Sequence, residues 1–462
     1  MWIDIITVFS IIAGAIIIDI PTASMIAIFY ILGIYITSLI KSDKNKDEIN
    51  IYRIAYLAGY FFILLSFIYM NSHNYEYLLG YDGIAVYMPN TEIYLNAGNY
   101  FSVLKQVWAN YSFFDRNMPG YYTVLTFFGK IAQLINANLY VSLQLSTLFF
   151  APFIGIVLYK IFLLLGIDQL SKKRYRYTLY ILIFSVLFYF STFIARDTHI
   201  ALLYLIAIYL TFEKSYSLRN IIRLILVILI TCTFRIESGL FLIIMIPVYL
   251  LLTLQKRSYK IEAIIASLVV FFVLASFVSN NMNRIQVTYK VNKENYVEVV
   301  AEESGMIANL QRIPIAGDII SIVYNASQPL PFWGKMAPSG KDNLGPEVYN
   351  IMNFPLAFAS FFNWFVITYI LFWILSSKLK KRTKGQISKP LKYSLFVGTI
   401  FLYIQSAVIA QRRLMGFYCV FYILFFIIYS NLRSNEKRQL NTLAIGSFIT
   451  LQVLSAAYLK LK

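Results

Sequence analysis

Residues 139–176 read LYVSLQLSTLFFAPFIGIVLYKIFLLLGIDQLSKKRYR, an apolar run of 27 residues followed by a cluster of basic residues. About 20 apolar residues of α-helix are enough to cross the hydrocarbon core of a bilayer. The run is continuously apolar and does not alternate, which favours a membrane helix over a barrel strand. This stretch therefore predicts a transmembrane helix that ends at a basic loop.

The composition of the whole chain agrees with that prediction. Hydrophobic residues make up 59% of the 462 residues and aromatic residues 17%, while charged residues are only 13%. The mean hydropathy is +0.66. Soluble domains usually carry about a quarter of their residues as charges, so a water-soluble class is excluded.

Apolar runs of similar length recur along the chain, and we predict an all-α polytopic membrane protein with about 13 transmembrane helices in a single integral-membrane domain, residues 1–462. The predicted spans are 5–18, 22–40, 51–71, 139–165, 177–195, 199–213, 221–236, 239–254, 261–279, 353–377, 393–410, 414–430 and 442–459. The first run lacks a basic leader and a second run follows at once, so we interpret it as a span and not as a signal peptide.

The positions of the charges predict the topology. With the amino terminus inside, six short inside loops hold 25 of the 40 Lys and Arg residues, which is the positive-inside pattern. The net charge of +18 is thereby explained by topology and by contact with anionic membrane lipids, and no nucleic-acid partner is needed.

Two long extracytoplasmic loops follow from this topology, 71–138 and 280–350. Residues 119–135 are apolar but carry Lys130 and Gln133 in mid-run, so we interpret them as a juxtamembrane helix at the outer surface. The second loop contains IAGDIISIVYNA (315–326), which predicts a short surface helix, and Trp333, for which membrane anchoring and stacking on a sugar are the two interpretations.

Cysteine and histidine bound the chemistry. The chain has two cysteines, Cys232 and Cys419, both in predicted spans, so a disulfide framework is excluded. His73 and His199 are the only histidines, which excludes a multi-histidine metal site.

Short motifs on the outer side resemble those of a known family. YDGIAVY (81–87) and FDRNMPGYY (114–122) flank the first loop, and STFIARDTHIALLYLIAIYLTF (191–212) and TFRIESGLFLIIMIPVYLLL (233–252) follow. Together, residues 78–252 resemble the GT-C superfamily of integral-membrane glycosyltransferases, which take sugars from polyprenyl-phosphate carriers. Two spans precede the first GT-C-like helix, and a single Asp stands where many members have an acidic pair.

The resemblance implies a catalytic carboxylate at Asp82, because glycosyl transfer needs a group that accepts the proton of the acceptor hydroxyl. The alternative is an Asp-Gly turn on a solvated loop. Tyr87 and Asp115 are expected to bind substrate. Asp197 is the second catalytic candidate, expected to bind the acceptor, a metal or the donor phosphate. Arg196 beside it is expected to bind substrate, and a plain interfacial ion pair of the two is the alternative.

Further cations lie at the same predicted boundary. Arg235 and Glu237 are expected to line the same cavity, with a structural salt bridge between them as the alternative. Arg412 and Arg413 oppose the positive-inside trend, and guanidinium groups bind phosphate oxygens in bidentate geometry. We therefore expect them to hold the donor phosphate, with lipid headgroups as the alternative partners.

The function expected from these residues is transfer of a sugar or oligosaccharide from a polyprenyl-linked donor to a lipid- or glycan-linked acceptor, with repeat-unit polymerisation as one form. A glycolipid flippase or transporter, and a non-catalytic scaffold, remain the alternatives. No cofactor is certain; a divalent metal ion is one option, although few oxygen ligands can be nominated for it. The expected location is the bacterial cytoplasmic membrane, with the site on the extracytoplasmic side.

Overall fold

The described part of the chain is helical. The computed structural model describes residues 2–40, 45–72, 77, 83–109, 118–213, 217–253, 265, 272, 322–324, 326–327, 354–405 and 411–461, and these contain no strand. The predicted span 261–279, apart from two isolated residues, and almost all of the loop 280–350 lie outside the described residues. So do Asp82 and Asp115.

The first part of the chain, up to residue 253, contains both long and short helices. They are α1 (Trp2–Ile17), α2 (Ile20–Leu39), α3 (Asn45–Ser72), a π-helical turn (Gly83–Tyr87), α4 (Met88–Leu95), α5 (Tyr100–Ala109), α6 (Pro119–Ile135), α7 (Leu139–Leu164), α8 (Asp168–Phe184), α9 (Val186–Ser191), α10 (Arg196–Phe212), α11 (Leu218–Phe234), α12 (Ile236–Leu242) and α13 (Met245–Thr253). The last part contains α14 (Phe354–Leu375), α15 (Ser377–Thr383), α16 (Lys389–Gln405), α17 (Gln411–Asn431) and α18 (Ser434–Leu461).

Six helices among the described residues are long and apolar enough to cross a membrane, which confirms the prediction of a helical membrane protein. They are Ile20–Leu39, Lys46–Ser72, Leu139–Leu164, Ile236–Thr253 (α12 and α13 taken together), Phe354–Leu375 and Ser434–Ala457. Trp2–Ile17 and Met415–Asn431 are shorter apolar helices. The number of thirteen spans stays a prediction.

The structure shows why one predicted span is divided into two shorter helices. The predicted span 177–195 is interrupted at Ser185, whose backbone is extended (φ −102°, ψ 170°) and whose hydroxyl accepts a hydrogen bond from the Leu187 N–H at 3.2 Å. The serine side chain offers the backbone an alternative to the helical bond, so α8 ends and α9 begins there. Hydropathy alone does not predict this break in the helix.

Tyrosines of α3 hold the first three helices together. Tyr52 and Tyr60 are fully buried, and they lie against Gly33 of α2 and Gly14 of α1, where a side chain would collide with their rings. The Tyr56 hydroxyl donates to the Ile26 carbonyl at 2.9 Å. Because the glycines admit the rings, the three helices pack closely.

Charged and polar contacts join several helix termini at one end of the molecule, here called the basic end. Arg53 of α3 forms an ion pair with Asp4 of α1. The Tyr159 hydroxyl of α7 donates to Asp47 of α3 at 2.6 Å, and its ring lies 4.9 Å from the guanidinium of Arg174. These contacts join the described parts of the predicted cytoplasmic loops 41–53 and 160–176.

The last helices reach the same end. Lys437 of α18 lies close enough to Lys173 of α8 for their charges to interact. Arg382 of α15 forms an ion pair with Glu436 of α18. The predicted cytoplasmic loops 378–392 and 433–438 therefore also belong to the basic end.

The termini predicted to lie outside meet at the opposite end. The Asn138 N–H, before α7, donates to the Thr22 hydroxyl of α2 at 2.8 Å. Gly120, in the first turn of α6, packs against Thr233 at the end of α11. The two ends thus separate the same helix termini that the charge pattern separates.

The predicted juxtamembrane helix is α6, with the predicted bounds. Its buried residues recur on one face, and Phe128 stacks on Phe29 of α2 at a ring-centroid distance of 4.4 Å. Lys130 donates to the Leu95 carbonyl at 2.7 Å, which ties α6 to α4. The position of α6 at the membrane surface stays a prediction, since its packing reaches the middle of a candidate span.

The predicted sidedness can be tested by thiol labelling. Gln106→Cys, in the first loop, is expected to react with a membrane-impermeant maleimide added to intact cells, and Lys172→Cys, at the basic end, only after permeabilisation. Both native cysteines are buried, which keeps the background low. If the Lys172→Cys variant were labelled in intact cells and the Gln106→Cys variant were protected, the topology would be the reverse of the predicted one.

Candidate functional site

A buried irregular segment, residues 192–195, precedes α10 and positions Arg196 and Asp197. Its four residues are all buried. The Gln144 side chain of α7 donates to the Thr192 carbonyl at 2.9 Å, and the Ala195 N–H donates to the Thr147 hydroxyl at 3.4 Å. Non-helical backbone away from water is tolerated where protein groups satisfy it. Polar side chains of α7 therefore hold this segment, and the first turn of α10 is placed by it.

Arg235 is placed by a very short connection. It is the single residue between α11 and α12, with extended backbone (φ −159°, ψ 116°). Its N–H donates to the Thr231 carbonyl at 2.8 Å, and its carbonyl accepts from the Gly239 N–H at 3.1 Å. Both its backbone groups are thus engaged, which fixes the direction of the side chain.

Asp197 and Arg235 form an ion pair. Asp197 Oδ1 lies 2.9 Å from Arg235 Nη1, and the side chains are 5% and 16% exposed. Removing two charges from water costs free energy that their mutual attraction only partly offsets. The position of Asp197 in the first turn of α10 helps, because the partial positive charge of a helix N-terminus stabilises a carboxylate. The pair joins α10 to the α11–α12 connection.

Arg196 faces the start of α6. Its Nη1 contacts the sulfur of Met118, the residue immediately before that helix. A thioether is a weak acceptor and carries no charge. This contact brings the end of the first loop to the first turn of α10.

Aromatic rings form a wall beside the ion pair. Tyr121 of α6 lies 4.9 Å from Tyr87 and 5.5 Å from His199 by ring centroids, and His199 stacks on Phe234 at 5.6 Å. The edge-to-face and stacked arrangements are the favourable ones for such rings. The wall therefore links the first loop, α6, α10 and α11 around the Asp197–Arg235 pair.

Tyr121 is the most deeply buried hydroxyl of this wall. Burial, reinforced by the neighbouring Tyr87 and Asp197, raises the pKa of Tyr121 well above its usual value. Its oxygen has no hydrogen-bond partner among the residues that the structure describes. The phenol therefore stays protonated and is a donor available to a group that enters the site.

The structure brings four predicted site residues together: Arg196, Asp197, Arg235 and Tyr87. Glu237, in the first turn of α12, is exposed. Arg235 is bound by Asp197, so the expected alternative of a salt bridge from Arg235 to Glu237 is not the contact that is observed.

For Asp82, Arg412 and Arg413, the structure describes only the contacts of neighbouring residues in the chain. Asp82 itself lies outside the described residues, but a Cβ added to Gly83 would be 3.4 Å from the Cβ of Ile194. Arg412 and Arg413 lie in the first turn of α17, and their side chains are outside the described part. One turn later, Gly416 packs against the ring of Tyr204 on α10.

Four residues of this cluster were not predicted from the sequence: Gln144, Thr147, Met118 and Tyr121. A signal for the first two exists: they stand three residues apart in an apolar run, and therefore on one face of α7. Tyr121 lies in the motif FDRNMPGYY (114–122), but no role was predicted for it. The contact through Met118 has no sequence signal.

No group of three or more His, Cys, Asp and Glu side chains that could hold a metal ion occurs among the described residues. Comparison with protein-family models, with curated proteins and with solved structures gives no match to this chain.

Removal of one partner of the Asp197–Arg235 ion pair is expected to destabilise the protein. Arg235→Met removes the guanidinium that pairs with the buried carboxylate of Asp197, and the free energy of unfolding is expected to fall by about 3 kcal/mol. Adding Asp197→Leu removes the remaining charge and is expected to recover most of that loss. Unfolding in mixed micelles measures both.

Arg382→Met is the matched control, because it breaks a more exposed ion pair, the one with Glu436. The free energy of unfolding is expected to fall by about 1 kcal/mol or less in this variant. A double variant that is as unstable as the single Arg235→Met variant would contradict the account of the buried pair.

The α11–α12 connection depends on Gly239. A Cβ at this position would lie 2.6 Å from the backbone nitrogen of Cys232, which cannot move aside as a flexible side chain does. Gly239→Ala is expected to destabilise the protein by about 1–3 kcal/mol in the same assay. Gly446→Ala, on a helix face with no atom within 4 Å, is the control and is expected to be neutral or stabilising. Equal effects of the two substitutions would refute the steric explanation.

Proposed function

We propose that this protein is a membrane glycosyltransferase. It transfers a sugar or oligosaccharide from a polyprenyl-phosphate-type carrier to a lipid- or glycan-linked acceptor, on the outer face of a bacterial cytoplasmic membrane. Polymerisation of polysaccharide repeat units is one form of the same chemistry. The observation that carries the proposal is the buried Asp197–Arg235 pair with Arg196 beside it, at the end of the molecule that also holds the first loop.

The charges of this cluster suit a phosphate leaving group. Arg196 and Arg235 contribute two positive charges and Asp197 one negative charge, so the three side chains carry a net charge of +1. A guanidinium held by protein contacts stabilises developing negative charge without reorganising at the moment of reaction. Arg412 and Arg413, in the first turn of α17, are proposed to supply further positive charge to the donor phosphate.

Asp197 is better suited to hold Arg235 than to accept a proton. Its carboxylate is engaged by the guanidinium at 2.9 Å, which stabilises the ionised form. We therefore propose Asp82 as the base and Asp197 as the residue that orients Arg235. Tyr87 and the protonated Tyr121 form the wall against which the sugar or the phosphate is bound.

The proposed reaction is a single displacement. The acceptor oxygen forms a bond to the anomeric carbon while the bond from that carbon to the phosphate oxygen breaks. The electron pair leaves with the polyprenyl phosphate, and the hydroxyl proton passes to Asp82. Inversion at the anomeric carbon follows from one in-line step.

A glycolipid transporter is the second candidate, because it also needs a site for a lipid-linked sugar. The interruption of α8 and α9 at Ser185 is the observation that favours it, since transporters build sites from discontinuous helices. Transport moves the lipid-linked sugar without a new glycosidic bond. The two candidates therefore differ in their products.

Asp82→Asn is expected to reduce sugar transfer at least about 100-fold, because a positioned base contributes that much to such a step. The measurement uses full-length protein in proteoliposomes with a labelled polyprenyl-linked sugar, and detects the new glycosidic product. Glu92→Gln, which neutralises another acidic residue of the first loop, is the control and is expected to keep the wild-type rate.

Unchanged transfer by the Asp82→Asn variant would remove Asp82 as the base. Translocation of the labelled lipid across the bilayer, with no glycosidic product from wild-type protein, would replace the enzyme with the transporter.

A further inference from the structure

A groove of about 530 Å³ opens at the basic end, between α14, α15, α16 and α17. Its volume is in the range of sites for small organic ligands. All the residues that line it are described by the structure. It lies at the end of the molecule opposite to Asp197 and Arg235, and it shares no residue with that site.

The floor of the groove is apolar and its rim is basic. The floor residues come from α14, from the first turns of α16 and from the second half of α17, and they are Ile370, Trp373, Ile374, Leu395, Phe396, Phe421 and Leu424. The rim carries Lys380, Lys381, Lys384 and Lys392. Buried Ile387 and exposed Thr399 complete the lining.

The rim has an excess of positive charge. Residues 376–392 read SSKLKKRTKGQISKPLK, with seven basic residues and no acidic residue. Arg382, in the same segment, is bound by Glu436 of α18 at 2.8 Å, so that carboxylate is already engaged. All four lysines that line the groove are exposed. Among the residues that the structure describes, none of these four lysines forms an ion pair, so the groove presents cations at its mouth.

Hydrogen bonds fix the position of the rim relative to the floor. The Trp373 indole N–H, at the end of α14, donates to the buried Thr383 hydroxyl of α15 at 2.8 Å. The Ser376 hydroxyl caps α15 by accepting from the Leu379 N–H at 3.2 Å. A Trp with its N–H bonded and its ring on an apolar surface is typical of a membrane interface. The lysines are thus placed above the apolar floor by fixed contacts.

Polarity changes along the groove as it does along a lipid. On α16, Lys392 and Thr399 are seven residues apart, which spans about 10 Å, with Leu395 and Phe396 between them. Phe396 is 65% exposed and Ile374 is 47% exposed, so this surface requires an apolar cover. Cations at one end and exposed apolar rings below them match a phosphate headgroup followed by an acyl chain.

We propose that this groove binds one anionic phospholipid of the adjacent leaflet, with the lysines on the phosphate and the acyl chain along Trp373, Leu395 and Phe396. Charge complementarity identifies the occupant: the exposed lysines select an anionic headgroup, as basic segments beside membrane helices do. A free phosphate ion leaves the apolar floor uncovered. A zwitterionic lipid leaves the lysines uncompensated.

The test uses purified full-length protein in detergent micelles, titrated with phosphatidylglycerol or phosphatidylcholine, with retained lipid counted by native mass spectrometry. Phosphatidylglycerol is expected to saturate one site and phosphatidylcholine to bind far more weakly. Millimolar inorganic phosphate is expected not to displace the lipid. Equal binding of the two lipids, or displacement by inorganic phosphate, would overturn the proposal without any variant.

A matched pair of variants locates the site. Lys384→Gln with Lys392→Gln removes two charges from the groove, and affinity for phosphatidylglycerol is expected to fall about tenfold or more. Lys378→Gln with Lys389→Gln removes two charges from the same segment outside the groove, and little change is expected. Equal losses for the two pairs would mean general attraction to the basic surface and would refute a defined site.

A third variant tests the floor with the charges unchanged. Thr399→Trp fills the lower part of the groove and is expected to weaken binding of phosphatidylglycerol while all four lysines remain. Thermal unfolding of each variant reports whether it is folded. Wild-type affinity in a folded Thr399→Trp variant would show that the acyl chain does not lie on this floor.

Discussion

Polar groups that lie away from water must be satisfied inside the protein, and the structure of the candidate site follows from that constraint. The irregular segment before α10 exists because Gln144 and Thr147 of α7 bond its backbone. Arg235 is extended between two helices because its own N–H and carbonyl are engaged within the connection. The charges of Asp197 and Arg235 then satisfy each other. If any of these partners were absent, the others would be left in an apolar setting at considerable cost.

Aromatic packing extends this arrangement to the loop side of the molecule. Tyr87 follows the predicted catalytic Asp82 by five residues, and Tyr121 lies at the start of α6, so their contact joins both flanks of the first loop. Rings carry large apolar surfaces with few rotatable bonds, and they lose little entropy when they are fixed. The first loop is therefore attached to the membrane helices at its two flanks.

The positions of many helices were predictable, because a run of apolar residues is visible in the sequence without knowledge of tertiary contacts. The predicted run 139–165 corresponds to Leu139–Leu164, and the predicted juxtamembrane helix has the observed bounds. The break at Ser185 was not predictable, since a single serine in an apolar run also fits an unbroken helix. Arg196 and Arg235 were expected at one boundary, and the structure places them in one cluster around Asp197. The choice of Asp197 over Glu237 as the partner of Arg235 depends on how α10 and α12 lie side by side, which spacing does not determine. The basic loop was predicted as a topology signal, but the groove beneath it arises from packing of four helices.

The one-residue connection at Arg235 has a mechanical consequence. Most helical hairpins contain a loop whose slack absorbs small relative movements of the two helices. Here there is no slack, since α11 ends at Phe234 and α12 begins at Ile236. A tilt of either helix must be transmitted directly to the guanidinium, and through its carboxylate partner to the first turn of α10. The position of the Arg235 guanidinium is therefore coupled to the orientations of α10, α11 and α12.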